Sequence, residues 1–293
     1  MPIVKATPGS RIFNGVNALI MTVVVLFTLY PFVYLVAQSF SSEAAVYAGK
    51  VTFYPVDFTT LTYNVILSKP DFFRYYGNTI LYAVVGTLIA VSATAVMAYP
   101  LSKEKLRLNK FFIPFVLFTM YFGGGLIPNY ILVAKTLDMR NTIWALVIPG
   151  AISAFNVILM KTFFSSLPNE LEESAKVDGL DVYGIFLRIT LPLSKPILAT
   201  MLLFVVVGIW NSWFDASLYL QSKEKWPVAL YLRQVIETAI SPAELGASAE
   251  QTTQIAATVK SAAMVLTSLP MICIYPFVQK YFVQGMMIGA VKG

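Results

Sequence analysis

The chain has 293 residues, 57% of them hydrophobic and 12% charged, whereas soluble domains carry roughly one-quarter charged residues, so this composition predicts an integral membrane protein. The sequence contains no histidine, which excludes histidine-based catalytic triads, zincin sites and haem ligation and makes an enzyme less favoured. The net charge of +6 arises from basic residues beside apolar stretches rather than from a basic patch with interleaved aromatics, which argues against nucleic-acid binding.

Six apolar stretches are long enough to cross a bilayer as helices, because a span needs about 20 such residues. In chain order, the predicted spans cover residues 12–40, 75–102, 111–134, 142–164, 196–219 and 261–284. Their central turns lack ionisable side chains, and no linker of different composition interrupts the chain. The sequence therefore predicts an all-α polytopic membrane protein with a single transmembrane domain over residues 1–293.

The link between the second and third predicted spans is strongly basic and contains Lys103, Lys105, Arg107 and Lys110. Lysine and arginine in short links favour the cytoplasmic side. This bias predicts that both termini are cytoplasmic, that the connection over 165–195 is also cytoplasmic, and that segments 41–74 and 221–260 face outward.

Proline and glycine interrupt several spans, for example at Pro114, at Pro149 and in the run Gly123–Gly125. Such residues are tolerated where neighbouring helices or a water-filled path satisfy the freed backbone groups. Ordinary helix packing accounts for any one of them. Taken together, they indicate helices that bend around a pathway.

A dense charged segment, ELEESAKVDGLDVYGIFLRITLP, lies between the fourth and fifth predicted spans. Asn169 precedes several glutamates, which predicts a helix that Asn169 caps and whose acidic first turn faces the positive end of the helix dipole. Gly179 is well placed to end that helix in the left-handed conformation, and Asp181 to cap a second helix.

This segment is expected to form a helix, a glycine corner and another helix on the cytoplasmic surface. The small side chains of Ser174 and Ala175 are expected to be exposed beside charged groups, where another protein can approach closely. A merely capped, solvated loop is the alternative interpretation.

The pattern Glu173-Ser174-Ala175, three residues, Gly179, nine residues, Ile189, one residue and Leu191-Pro192 resembles the EAA loop of ABC importer permeases. Ser174 replaces the alanine that is usual in that family. From about Asn78 onward the chain is also similar to carbohydrate-uptake permeases, above all to importers of complex oligosaccharides and polysaccharides of the alginate type.

The resemblance implies a type I ABC importer permease fold and a place in the bacterial cytoplasmic membrane as one subunit of an ATP-driven sugar importer. The implied partners are a second homologous permease subunit, two ABC ATPase subunits, an extracytoplasmic solute-binding protein, the lipid bilayer and the sugar substrate. Contact with an ATPase is implied for the residues of the loop, which are Glu170, Glu172, Glu173, Ser174, Ala175, Asp178, Gly179, Ile189, Leu191 and Pro192.

The chain has no GxxxxGK[ST] loop, which is the usual cradle for nucleotide phosphates. We therefore expect no cofactor in this chain, with ATP and Mg bound by the partner ATPase, and we expect no catalytic or metal-binding residues.

Sugar sites combine aromatic platforms with amide and carboxylate groups. The end of the fifth span, WNSWFD, and three polar positions elsewhere supply such groups, namely Trp210, Asn211, Trp213, Asp215, Asn129, Tyr130 and Asn156. An interfacial aromatic belt also explains the tryptophans, and helix-to-helix hydrogen bonds also explain the last three positions.

Two other classes of function remain open from the sequence. A secondary transporter or channel is the first alternative, but such proteins commonly carry ionisable residues at the membrane midplane, and the central turns here have none. A membrane-embedded enzyme is the second, but no acid/base constellation is evident.

Overall fold

The protein is described by a computed structural model over residues 8–103, 106–238 and 257–274, together with residues 276 and 279. Every regular element within these residues is helical and none is a strand, which confirms the all-α prediction for this part of the chain. The chain divides into two compact units, residues 1–69 with 234–268 and residues 70–233 with 269–293. The single transmembrane domain stays a prediction.

The first unit is built on a long apolar helix. Its helices are α1 (Pro8–Ser39), α2 (Glu43–Tyr47) and α3 (Leu61–Leu67), and it includes most of α15 (Ala257–Ile274). The Ser39 and Tyr63 hydroxyl groups lie 2.8 Å apart, and the Ser261 hydroxyl donates to the Gln38 amide oxygen at 2.8 Å. Hydrogen bonds between polar side chains therefore join the end of α1 to α3 and α15. The most apolar part of α1 has no buried residue.

The second unit contains the remaining helices. They are α4 (Pro70–Leu101), α5 (Asn109–Tyr121), α6 (Leu126–Ile131), α7 (Trp144–Val147), α8 (Ala154–Ser165), α9 (Asn169–Val177), α10 (Val182–Ile185), α11 (Leu191–Leu193), α12 (Lys195–Trp210), α13 (Phe214–Tyr219) and the first part of α14 (Val228–Thr238), whose residues from Gln234 onward belong to the first unit. Two π-helical turns, Leu132–Thr136 and Phe186–Thr190, and a 3₁₀ turn, Lys223–Lys225, complete it.

The core of this unit lies where α4, α8 and α12 meet. Ala98 on α4 is completely buried, and Met160 on α8 and Met201 on α12 pack in the same cluster with Tyr99 and Ile197. Small residues such as Ala98 let neighbouring helices approach closely, which is how membrane helices gain packing energy. The contact of α4 with α12 is the most extensive between any two elements that the structure describes.

Three described helices are long and apolar enough to cross a membrane: α1, α4 and α15. Two further helix pairs, Asn109–Tyr121 with Leu126–Thr136 and Val182–Leu193 with Lys195–Trp210, meet the same test but are bent by 106° and 79°. The described chain therefore offers three spans, or up to five if each bent pair counts as one. The expected count of six stays a prediction, and the last part of the predicted sixth span lies mostly outside the described residues.

The predicted interruption at Gly123–Gly125 is confirmed as the break within the first bent pair. Gly125 has a φ of 85°, a backbone conformation that glycine adopts without the steric cost other residues incur. The stretch predicted as the fourth span is also divided, because α7 and α8 are separate helices and Pro149 and Gly150 lie between them.

Candidate functional site

The charged connection between α8 and α12, residues 165–195, is here called the elbow. Its second helix is capped as predicted, since the Asp181 carboxylate accepts a hydrogen bond from the Gly184 N–H at 2.8 Å. The predicted cap at Asn169 is wrong. Asn169 is already the first residue of α9, and Pro168, which has an extended backbone (φ −59°, ψ 130°), occupies the capping position without a side-chain bond.

Helix α9 ends in a glycine corner, as predicted. The Gly179 N–H donates to the Lys176 carbonyl at 3.1 Å, and the Leu180 N–H donates to the Ala175 carbonyl at 3.0 Å. Together with the Gly179 φ of 83°, these two bonds form a Schellman motif. The chain therefore reverses sharply at Gly179 and then enters α10.

Burial differs among the predicted contact residues of α9 and its glycine corner. Ala175 is only 3% exposed, so the prediction that it is exposed is wrong, because the glycine corner folds the chain back onto it. The Glu172 side chain is 16% exposed. The exposed residues are Glu170, Glu173, Ser174, Asp178 and Gly179.

Three apolar side chains next to these acidic residues are also exposed, which was not predicted from the sequence. Val177 is 88% exposed, Tyr183 is 76% exposed and Val182 is 60% exposed. Large apolar side chains that are exposed together within a polar segment are typical of protein interfaces. Their position on either side of Gly179 was readable from the sequence, but their exposure was not.

The start of the elbow is attached to the end of α4. Lys103 forms an ion pair with Glu172, and its ammonium lies 4.4 Å from the centroid of the Tyr99 ring. The Ser165 hydroxyl also donates to the Ser102 carbonyl at 3.1 Å. In the sequence alone, Lys103 indicates only the topology of the chain.

The end of the elbow leads directly into α12. Leu191 packs against the core cluster of α4, α8 and α12, Ile189 is half-buried, and Pro192 is exposed. The chain bends by 79° between α11 and α12, where the Ser194 side chain is fully buried. The elbow is therefore attached to the helical core at both of its ends.

A cavity of about 240 Å³ lies within the second unit, between α4, α7, α8 and α12. Asn156 and Asp215, both predicted pathway residues, line it together with Ser212. The Ser212 hydroxyl lies 3.5 Å from the Asp215 carboxylate, at the limit of a hydrogen bond. Gly86 and Gly208 also line the cavity, and their missing side chains leave it room.

The predicted tryptophans do not line this cavity. Trp210 is buried, and its ring meets Tyr76 edge-on at 5.9 Å between centroids. The guanidinium of Arg233 lies 4.5 Å from the Trp213 ring centroid, as in a cation–π contact. Both tryptophans therefore have packing roles inside the second unit.

The other predicted pathway residues also lie elsewhere. Tyr130 stacks on Tyr219 with ring centroids 5.9 Å apart, and the Asn211 amide donates to the Val207 carbonyl at 2.9 Å within its own helix end. Asn129 is exposed. Among the residues that the structure describes, no group of three or more histidine, cysteine, aspartate or glutamate side chains could hold a metal ion.

The described start of the predicted outer segment 221–260 is held by Asn141. The Asn141 amide oxygen accepts bonds from the Gln221 and Ser222 N–H groups at 3.2 and 3.1 Å, and its amide nitrogen donates to the Ser222 hydroxyl at 2.9 Å. Asn141 has a φ of 58°, which asparagine tolerates better than most residues. Residues 239–256 of the segment lie outside the described part of the chain.

The sequence is similar to known proteins over almost its whole length. The model of a family described as binding-protein-dependent transport system inner membrane component matches residues 6–288. Protein LplC of Bacillus subtilis (strain 168) is 43% identical, covering 98% of this chain and 97% of its own. The polygalacturonan/rhamnogalacturonan transport system permease protein YtcP of the same organism is 36% identical, covering 97% of this chain and 99% of its own.

A solved structure shows the same fold over almost the whole chain. It is a chain from a bacterial ABC transporter involved in the import of the acidic polysaccharide alginate. The two chains are 34% identical and superpose with a TM-score of 0.82, covering 96% of this chain and 100% of the other.

Proposed function

The chain belongs to the family of binding-protein-dependent transport system inner membrane components, and we propose that it is one of two transmembrane subunits of an ATP-driven importer of an oligo- or polysaccharide. Its relatives support this substrate class, because one transports polygalacturonan and rhamnogalacturonan and another belongs to an alginate importer. The importer would lie in the bacterial cytoplasmic membrane.

The observation that carries the proposal is the construction of the elbow. It exposes carboxylates and apolar side chains, yet it is attached to α4 at its start and to α12 at its end. An exposed segment with these two attachments is suited to receive a partner and to transmit its movement to membrane helices. We propose that this segment is the EAA loop through which an ATPase acts on the permease.

The proposed contacts divide along the elbow according to exposure. Glu170, Glu173, Ser174 and Asp178 face solvent and would contact the ATPase, whereas Gly179 shapes the corner. Ala175 would support the elbow from within, together with Ile189 and Leu191, and Pro192 would lead the chain towards α12. ATP and Mg would be bound by the ATPase, and this chain would itself catalyse no reaction.

We propose a complex of this chain with a second homologous permease, two ABC ATPase subunits and an extracytoplasmic solute-binding protein. The family description supports the binding protein directly. The basic link at Lys103, Arg107 and Lys110 supports cytoplasmic termini. Six spans would result if the first bent pair, the α7–α8 stretch and the α12–α13 stretch that follows the elbow each cross once, in addition to the three long helices.

The cavity lined by Asn156, Ser212 and Asp215 is the proposed contribution of this chain to the sugar path. An amide, a hydroxyl and a carboxylate can each hydrogen-bond sugar hydroxyls. Mostly apolar walls with a few polar groups are typical of small-molecule sites.

The test is transport by the complete complex in proteoliposomes with purified binding protein. Oligogalacturonate and neutral oligosaccharides would be offered as labelled substrates. We expect uptake that requires ATP and the binding protein and that continues when an ionophore removes the membrane potential. Uptake that stops with the membrane potential while ATP remains available would instead indicate a secondary transporter.

A further inference from the structure

Glu172 differs from the other glutamates of α9 in facing the protein. Its side chain is 16% exposed and is paired with Lys103, whose side chain is 29% exposed. Glu170 and Glu173, its neighbours on the same helix, are exposed. The glutamates of α9 look alike in the sequence, but they therefore lie in two different environments.

The position of Lys103 is fixed from several directions. Its ammonium lies 4.4 Å from the centroid of the Tyr99 ring, and the Asn109 amide donates to the Lys103 and Leu101 carbonyls at 2.7 and 3.1 Å. Charges held in place and partly removed from water interact more strongly than freely moving surface charges. Lys103 is therefore a preorganised partner for Glu172 rather than a mobile surface cation.

Lys103 lies two residues after the end of α4, and α4 makes its most extensive contact with α12. The elbow is joined to α12 by the chain itself and to the end of α4 by the ion pair of Glu172 with Lys103. A force applied to α9 thus has two routes into the same packed pair of helices. Without the ion pair, the Ser165 bond to the Ser102 carbonyl and the Tyr99–Phe186 ring contact still join the elbow to α4, but neither contact involves α9, which could then move relative to α4.

We propose that Lys103 is a positioning residue for coupling. Its ion pair with Glu172, here called the latch, joins α9 to the end of α4, so that movement of the elbow moves α4 and α12 together. This inference rests on the proposed transport function. It also assigns Glu172 to the inside of the permease and leaves Glu170 and Glu173 for the partner.

Charge reversal tests the latch, with a matched control on the same link. The variants are Lys103→Glu, Glu172→Lys, the double variant that restores opposite charges, and Lys110→Glu. Lys110 is exposed and forms no ion pair with any residue described here, so its reversal changes the net charge equally without touching α9. Lys103→Met, which keeps the apolar stem over Tyr99, replaces Lys103→Glu if that variant does not assemble.

Two measurements are made on the intact complex: hydrogen exchange of the α9 amides and sugar molecules transported per ATP hydrolysed. We expect Lys103→Glu to speed hydrogen exchange of the α9 amides. We also expect it to lower the number of sugar molecules transported per ATP about fivefold or more, because coupling between linked sites typically changes affinity by at least about fivefold. The double variant should recover to within about twofold of the original complex, and Lys110→Glu should match that complex.

The latch is contradicted if Lys103→Glu and Lys110→Glu behave alike in a complex that transports, or if the double variant recovers neither measurement. Failure of the proposed function looks different. In that case the unaltered complex would not import sugar with ATP, while the α9 exchange rates would still show whether Lys103 holds the elbow.

Discussion

Substitution of Gly179 tests how far the shape of the elbow controls transport. Gly179 has a φ of 83°, and a methyl group added there would meet no atom within 4 Å. Replacement by alanine therefore causes no collision, and its cost comes from the backbone conformation alone. Gly77 provides a matched control, because it lies in the helical backbone of α4 and also has open space around it.

The expected free-energy cost of replacing Gly179 rises from asparagine to alanine to proline. Alanine in the left-handed region costs about 1–2 kcal/mol, whereas asparagine tolerates that region better. Proline cannot reach a φ of 83° because its ring holds φ near −65°. It also removes the Gly179 N–H bond to the Lys176 carbonyl, for roughly 1 kcal/mol more.

Since about 1.4 kcal/mol corresponds to a factor of ten, a cost of about 1–2 kcal/mol predicts that Gly179→Ala lowers ATP-dependent uptake by up to about 30-fold. Gly179→Asn should have a smaller effect, and Gly179→Pro should abolish uptake while the protein remains inserted. Gly77→Ala should transport normally. Uptake is measured in proteoliposomes at matched protein content. Normal uptake by Gly179→Pro, or equal uptake by the two alanine variants, would refute the role of the corner.

Three further predictions concern the body of the second unit. Gly86→Ala places a methyl group 2.6 Å from the Ile209 Cδ1, so we expect the free energy of unfolding to fall by about 1 kcal/mol. The melting temperature should fall accordingly, and adding Ile209→Val should restore it. An unchanged melting temperature would show that the packing around Gly86 is looser than in the structure. Asn141→Ala removes three side-chain hydrogen bonds, worth about 1 kcal/mol each, and should speed hydrogen exchange over 221–226, as should Asn141→Gly. Unchanged exchange would show that the Asn141 side chain does not hold this segment. Asn156→Ala and Asp215→Asn should each lower maximal uptake severalfold without changing sugar affinity of the binding protein, and normal uptake in both would remove this cavity from the sugar path.

The corner of the elbow could be predicted because its bonds are local. Gly179 and Asp181 act on groups within four positions along the chain, so residue type and spacing contain the required information. The Asn169 prediction failed by one position because Pro168 provides the extended backbone that precedes the helix. The burial of Ala175 depends on how the returning chain covers it, which local spacing does not specify.

The long-range parts of the site could not be read from one sequence. Lys103 and Glu172 are 69 positions apart, and either residue alone is an ordinary charge on a polar segment. The residues of WNSWFD, expected to lie on neighbouring turns of one helix, separate because α12 ends at Trp210 and α13 starts at Phe214. That break directs Asp215 to the cavity and Trp213 to Arg233.

Site-directed photo-crosslinking from the elbow tests the central claim most directly. A photoreactive residue at the exposed position Ser174 would be illuminated in complexes first shown to import sugar with ATP. The account predicts a crosslink to the ATPase from Ser174 and none from a control position at Phe115, an exposed residue of the apolar helix α5. A fully transporting complex in which Ser174 never crosslinks to the ATPase would contradict the account.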